Sequence, residues 1–221
     1  MDNSNSVLYY LQLMHRIHID NNDFRYFAQD SAANVRSMMY ISPFVYQFFI
    51  YNSLYQIDWP TSLLSGKIQE FQSKADDVNQ AAFENYVFDR LRSMQEAKRI
   101  NAIGRAFMEI EAKPVNTNWA TVIPDARISV ENGRKYFNNL RNFKNSLRQL
   151  RNTNNPDIIP RIFTYVTELR IFVYDVRCNI FHGRKSLKDA AEPNQDKRIE
   201  LYYLFLRGLV TLFFVTMDNS K

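Results

Sequence analysis

Apolar residues recur at three-and-four spacing over long stretches of this chain, and only five glycines and seven prolines interrupt them. That period places apolar side chains on one face of a helix, whereas a half-buried strand needs strict alternation. With so few residues suited to tight turns, the expectation is an all-α helical bundle, and an all-β fold does not fit. The 221 residues are 46% hydrophobic and include 17 Phe and 13 Tyr, ample material for a core, so disorder is not the default.

Along the chain, Val7 to Ile19 suits a short helix, and Asp20-Asn21-Asn22-Asp23 a turn that caps the next segment, Phe24 to about Tyr40. Pro43 suits the first turn of a further helix, capped by Ser42, reaching about Ile57 and closed by Asp58-Trp59-Pro60-Thr61. Residues 61–74 suit another short helix. From Ala81 to Ile110, Phe83, Val87, Leu91, Met94, Ile100 and Ile103 recur at broadly helical intervals, with Gly104 weakening that helix near its end. The pattern fails from Lys113 to Ile128, where Pro114, Asn116, Asn118 and Pro124 mark an irregular connection.

Helical spacing resumes from Ser129 to Arg151, with Tyr136, Leu140, Phe143, Leu147 and Leu150 on one stripe. Asn152-Thr153-Asn154-Asn155-Pro156 ends it, and the next helix runs from about Ile158 toward His182, where Gly183 suits the position past a helix end. A charged loop to about Asp196 and a strongly apolar helix, Lys197 to Met217, complete the chain. No repeat or long linker requires two domains: residues 1–34 read as an accessory helical segment, 35–217 as one helical domain and 218–221 as a tail.

Cys178 is the single cysteine, which excludes an internal disulfide and any multi-cysteine zinc site. The opening Met-Asp-Asn-Ser-Asn-Ser lacks the basic-then-apolar order of a secretion signal, so a cytoplasmic location is expected. Two apolar runs read as buried helix rather than as membrane spans. Ser37 to Ile57 carries Pro43, Gln47, Asn52 and Gln56, and Leu201 to Val215 contains Arg207 and is shorter than the roughly 20 residues a span needs. A formal charge of +5 makes nucleic acid or another polyanion a reasonable partner.

Several chemistries can be set aside. The glycines are too dispersed for a phosphate-binding loop or a dinucleotide fingerprint, and there is no His-Glu-x-x-His motif. His15 and His18 share a helix face beside Asp20, but no further histidine or cysteine nearby completes a ligand set, so neither metal nor cofactor is expected. Paired acids such as Asp76-Asp77, or Glu109 and Glu111, read as solvated helix ends. His182 remains, with Arg177 five residues earlier, about 140° around an ideal helix and about 7.5 Å along it. If the helix loosens before Gly183, or a second copy of the motif faces the first, the two can converge on one phosphate, histidine moving protons and guanidinium binding oxygens. Asn179 can orient either group or a ribose. The plainer arrangement, favoured by spacing alone, has Arg177 paired with Asp175 or Glu168 and His182 ending the helix. No acid interrupts Arg134 to Arg151, so Arg141, Lys144, Arg148 and Arg151 form a basic stripe that is either an RNA contact or a solvated face.

Val176-Arg177-Cys178-Asn179-Ile180-Phe181-His182-Gly183-Arg184-Lys185 resembles the Val-Arg-Asn-Asn-Leu-Phe-His-Gly-Gly-Lys form of the HEPN superfamily, whose hallmark is Arg, four to six residues, then His. Phe49-Ile50-Tyr51-Asn52-Ser53-Leu54-Tyr55 is similar to a sequence type of the first core helix in such domains. The resemblance covers residues 35 to 217 and implies a helical bundle that dimerises so that two motifs line one cleft. It also implies metal-independent RNA cleavage, with His182 as acid or base, Arg177 as phosphate ligand and Asn179 in support. Arg184 and Lys185 extend the RNA-binding set, and a protein antitoxin or regulator is an expected partner. Cys178 departs from the pattern, standing where Asn, Asp or His is usual, so either Asn179 takes that polar role or activity is weakened. The alternative is a non-catalytic HEPN module that binds nucleic acid, a nucleotide or a protein.

Overall fold

Among the residues that the computed structural model describes, 33–55, 75–116, 130–181 and 194–218, the periodic segments are α-helices and no strand occurs. They are α1 (Ala33–Tyr55), α2 (Ala75–Ser93), α3 (Glu96–Ala112), α4 (Val130–Thr153), α5 (Ile159–Phe181) and α6 (Gln195–Asp218). The expected helices at Val7–Ile19 and within 61–74, and His15, His18 and Asp20, lie outside the described residues.

The break expected at Pro43 is not there: α1 runs continuously through it. Proline inside a helix costs about 3 kcal/mol through its missing N–H and its ring. Just after it, Phe44, Phe48, Tyr51, Leu54 and Tyr55 are buried, and each such side chain contributes about 1.5–3 kcal/mol. Packing therefore outweighs the local penalty.

The single helix expected over Ala81–Ile110 is instead two, α2 and α3, separated at Met94 and Gln95. In one straight helix Leu91 and Phe107 would point about 160° apart, yet both belong to the core, so the axis must turn between them. A tight turn makes the change: Met94 N–H donates to Leu91 O at 3.1 Å, and Gln95 is extended at φ −53°, ψ 140°. Gly104 lies in the middle of α3, with open space around the position of a Cβ.

α4 buries the expected stripe Tyr136, Leu140, Phe143, Leu147 and Leu150. Asn154 (φ 50°) ends it in the left-handed region, which asparagine tolerates, and its N–H reaches Leu150 O at 2.8 Å. The Asn155 side chain accepts from Asp157 N–H at 2.9 Å and caps the short 3-10 turn Pro156–Ile158, which leads into α5, so the chain reverses and α5 packs on α4.

α6 is the central helix, packed on α1, α3 and α2. It is long and apolar enough to cross a membrane, but 72% of its apolar window is buried inside the bundle. At Gly208 a Cβ would come within 2.6 Å of Phe107 Cε1 and 2.9 Å of Ala106 O, so glycine is what lets α3 approach. Aromatic pairs continue the core: Phe107 meets Phe205 and Phe143, Phe83 meets Phe213, and Tyr202 meets both Phe44 and Tyr136.

Charged groups tie the helices across this core. Arg170 on α5 donates to Glu84 at 2.7 Å and to Gln80 at 2.9 Å, both on α2, and Thr167 donates to Glu84 at 3.2 Å. Glu111 is not a solvated helix end, whereas Glu109 is exposed but paired across helices. Glu109 receives both terminal nitrogens of Arg207 at 2.9 and 2.7 Å, clamping α3 to α6, and Glu111, only 6% exposed, receives Arg148 and Arg151 from α4.

Candidate functional site

Arg177 lies near the C-terminal end of α5, just ahead of its last turn. Its helix is held by Leu169, Val173 and Val176, which are in the core and leave Arg177 at the half-buried margin. Tyr174, one turn earlier, shares its face. Across the boundary stands Phe48 of α1, with ring centroids of Phe48 and Tyr174 6.2 Å apart. The Arg177 guanidinium carbon sits 5.2 Å from the Phe48 centroid and 5.8 Å from that of Tyr174. Each cation–π contact of this kind stabilises by about 0.5–2 kcal/mol, and together they restrain a side chain with much rotamer freedom.

Cys178 is buried at 4% exposure, and its Sγ accepts from Arg177 Nη1 at 3.8 Å. The position after the arginine therefore carries a buried thiol. Glu168 and Asp175, the carboxylates weighed as partners for Arg177, line a cleft of about 190 Å³ between α4 and α5 that also includes Asn132, Lys135, Asn139 and Phe172. Glu168 accepts there from the Asn139 amide. Asn179 belongs to the last turn of α5 by its backbone; its side chain, with His182, Gly183, Arg184 and Lys185, lies outside the described residues.

The basic stripe of α4 divides into three kinds of group. Arg141 is exposed, with Nη2 donating to Asn138 at 3.1 Å. Arg148 and Arg151 pair with Glu111, Arg151 Nη2 at 2.8 Å, so the charges that looked unopposed within their own helix meet an acid from α3. Lys144 is only 4% exposed, and burial, reinforced by Arg148 and opposed by Glu111, lowers its ammonium pKa to about 8. Of the four, Arg141 alone is exposed and donates to a neutral side chain, that of Asn138.

Phe48 and Tyr174 are the residues that reading the sequence missed. Tyr174 had a signal, standing one turn before Arg177; Phe48 had none, because its pairing with Arg177 is created by the contact of α1 with α5. Among the described residues no cluster of His, Cys, Asp and Glu suits a metal. Comparison with protein-family models, curated proteins and solved structures finds no match to this chain.

Proposed function

We propose that the chain is a metal-independent endoribonuclease of the HEPN kind, serving as a toxin or in defence or RNA processing, and acting as a homodimer in the cytoplasm. The observation that carries this reading is the Arg177 guanidinium, restrained on Phe48 and Tyr174 just ahead of His182. A guanidinium held in this way suits the non-bridging oxygens of a phosphodiester, which it can bind through two parallel hydrogen bonds.

The reaction is a transesterification. The ribose 2′-oxygen bonds to the adjacent phosphorus as its proton passes to a base, the bond from phosphorus to the 5′-oxygen breaks, and an acid returns a proton to that oxygen. The products are a 2′,3′-cyclic phosphate and a 5′-hydroxyl, with no water consumed. With two motifs facing each other, one His182 serves as base and the other as acid, each contributing about 10²–10⁴-fold. Asn179 supports the phosphate or ribose, while Arg141, Arg184 and Lys185 attract the backbone. A protein antitoxin or regulator is the expected partner.

A second reading has its own support in Cys178. A buried thiol stands where a polar side chain is usual, which favours a module that binds nucleic acid, a nucleotide or a protein without cleaving. Incubating purified chain with labelled mixed-sequence RNA in EDTA, beside Arg177→Ala and His182→Ala, separates the two. Wild-type-only cleavage with cyclic phosphate ends is expected. Equal cleavage by His182→Ala, or RNA that shifts in a gel but stays intact with folded wild type, rejects the ribonuclease.

A further inference from the structure

We infer that Phe48 and Tyr174 are positioning residues for the phosphate-binding guanidinium, an inference that rests on the reading of Arg177 as a phosphate ligand. The two rings come from different helices. Tyr174 is fixed to Arg177 by helical spacing alone, whereas Phe48 reaches it only because α1 is anchored from other directions. Phe44, one turn before Phe48, meets Tyr202 of α6 at 6.4 Å, and Tyr51, on the same face, meets Phe83 of α2 at 5.6 Å. Phe48 itself is 1% exposed and lies 5.8 Å from Tyr51, so its ring has little freedom to turn away.

A free arginine side chain loses rotamer freedom when it grips a phosphate; one already held over two ring faces has lost part of that freedom in folding. The α1–α5 contact is thus part of the anion site, although Phe48 and Tyr174 offer the phosphate no charge. Replacing an aromatic ring by leucine keeps an apolar side chain and removes the π-face, which is the property the inference concerns.

The test uses the full chain, with Tyr174→Leu, Tyr174→Phe, Phe48→Leu and Phe48→Tyr, each checked for helicity and cooperative melting. Two readouts are taken: affinity for a 2′-O-methyl RNA, which cannot undergo the transesterification, and the NMR shift of the Arg177 Nε–H group, assigned through Arg177→Lys. Both leucine variants are expected to weaken binding about tenfold, by returning rotamer freedom to Arg177, and to move its signal toward that of a free arginine. Tyr174→Phe and Phe48→Tyr, which keep the ring, recover most of the loss. Leucine variants that bind like wild type, or ring-keeping variants as impaired as their leucine counterparts, overturn the inference. Cleavage of the matching unmodified RNA is scored separately: absent turnover in wild type rejects the ribonuclease, and the affinity series still decides the role of the rings.

Discussion

Replacing Glu84 by glutamine keeps the shape of the side chain and removes its charge from the buried contact between α2 and α5. Glu84 and Arg170 are 3% and 6% exposed, and the Nε to Oε1 distance is 2.7 Å. Losing one member of such a pair typically costs 3–5 kcal/mol, because the remaining charge was desolvated on folding against a counter-ion. The bond from Arg170 to Gln80 persists, and a glutamine oxygen can still accept from Thr167, so the lower end, about 3 kcal/mol, is expected. For a chain of this size that corresponds to a fall in Tm of about 6–12 °C. Thermal melts with urea titrations would measure it, the midpoint shifting at constant m. Adding Arg170→Met to Glu84→Gln removes the stranded charge and should recover part of the loss, giving a measurable coupling energy. A Glu84→Gln protein melting within about 2 °C of wild type would refute the reasoning, since it would show that the charge of the pair adds little.

Other perturbations separate packing from electrostatics. Gly208→Ala should destabilise by about 1–3 kcal/mol, because the new methyl meets Phe107 and Ala106 O, whereas Gly104→Ala, facing open space in a helix, should stabilise by about 0.5–1 kcal/mol in the same melts. Lys144→Met should gain at least about 1 kcal/mol at pH 7, because methionine has no ammonium to desolvate. A folded pKa lowered to about 8 from 10.5 means that the penalty is fully present below about pH 8 and relieved as pH rises to 10.5, so denaturant titrations should show the gain shrinking over that window. Arg141→Glu should weaken RNA binding and flatten its salt dependence by about one unit of slope or more while leaving the melt unchanged; Arg148→Glu should lower the melt as well, through Glu111. Unchanged RNA affinity in Arg141→Glu would reduce the α4 stripe to a solvated face.

Much of the helical architecture is legible in the sequence, because a 3.6-residue period is written within each segment. The stripe from Tyr136 to Leu150 and the apolar helix after Lys197 were readable in this way, as were the asparagine-rich stop at Asn154 and the helix leading to Arg177. Errors arose where a local rule met a distant contact. Pro43 reads as a helix start, but burial of Phe44, Phe48 and Tyr51 carries the helix through it. Ala81 to Ile110 reads as one helix, although the opposed directions of Leu91 and Phe107 already imply a turn. Glu111 reads as solvated, yet it is buried and joins α3 to α4, while Glu109 is exposed as read and also reaches Arg207 of α6.

By itself the sequence determined the helical class, the helix that carries Arg177, and the absence of a multi-cysteine site, since each depends on residue type and short-range spacing. The tertiary structure alone decided that Phe48 lies against Arg177, that Glu111 takes the charge of Arg148 and Arg151, and that Lys144 is withdrawn from solvent. Helical periodicity specifies which side chains share a face of one helix; which rings and carboxylates meet that face depends on how the other helices pack, and no spacing within a single segment encodes it.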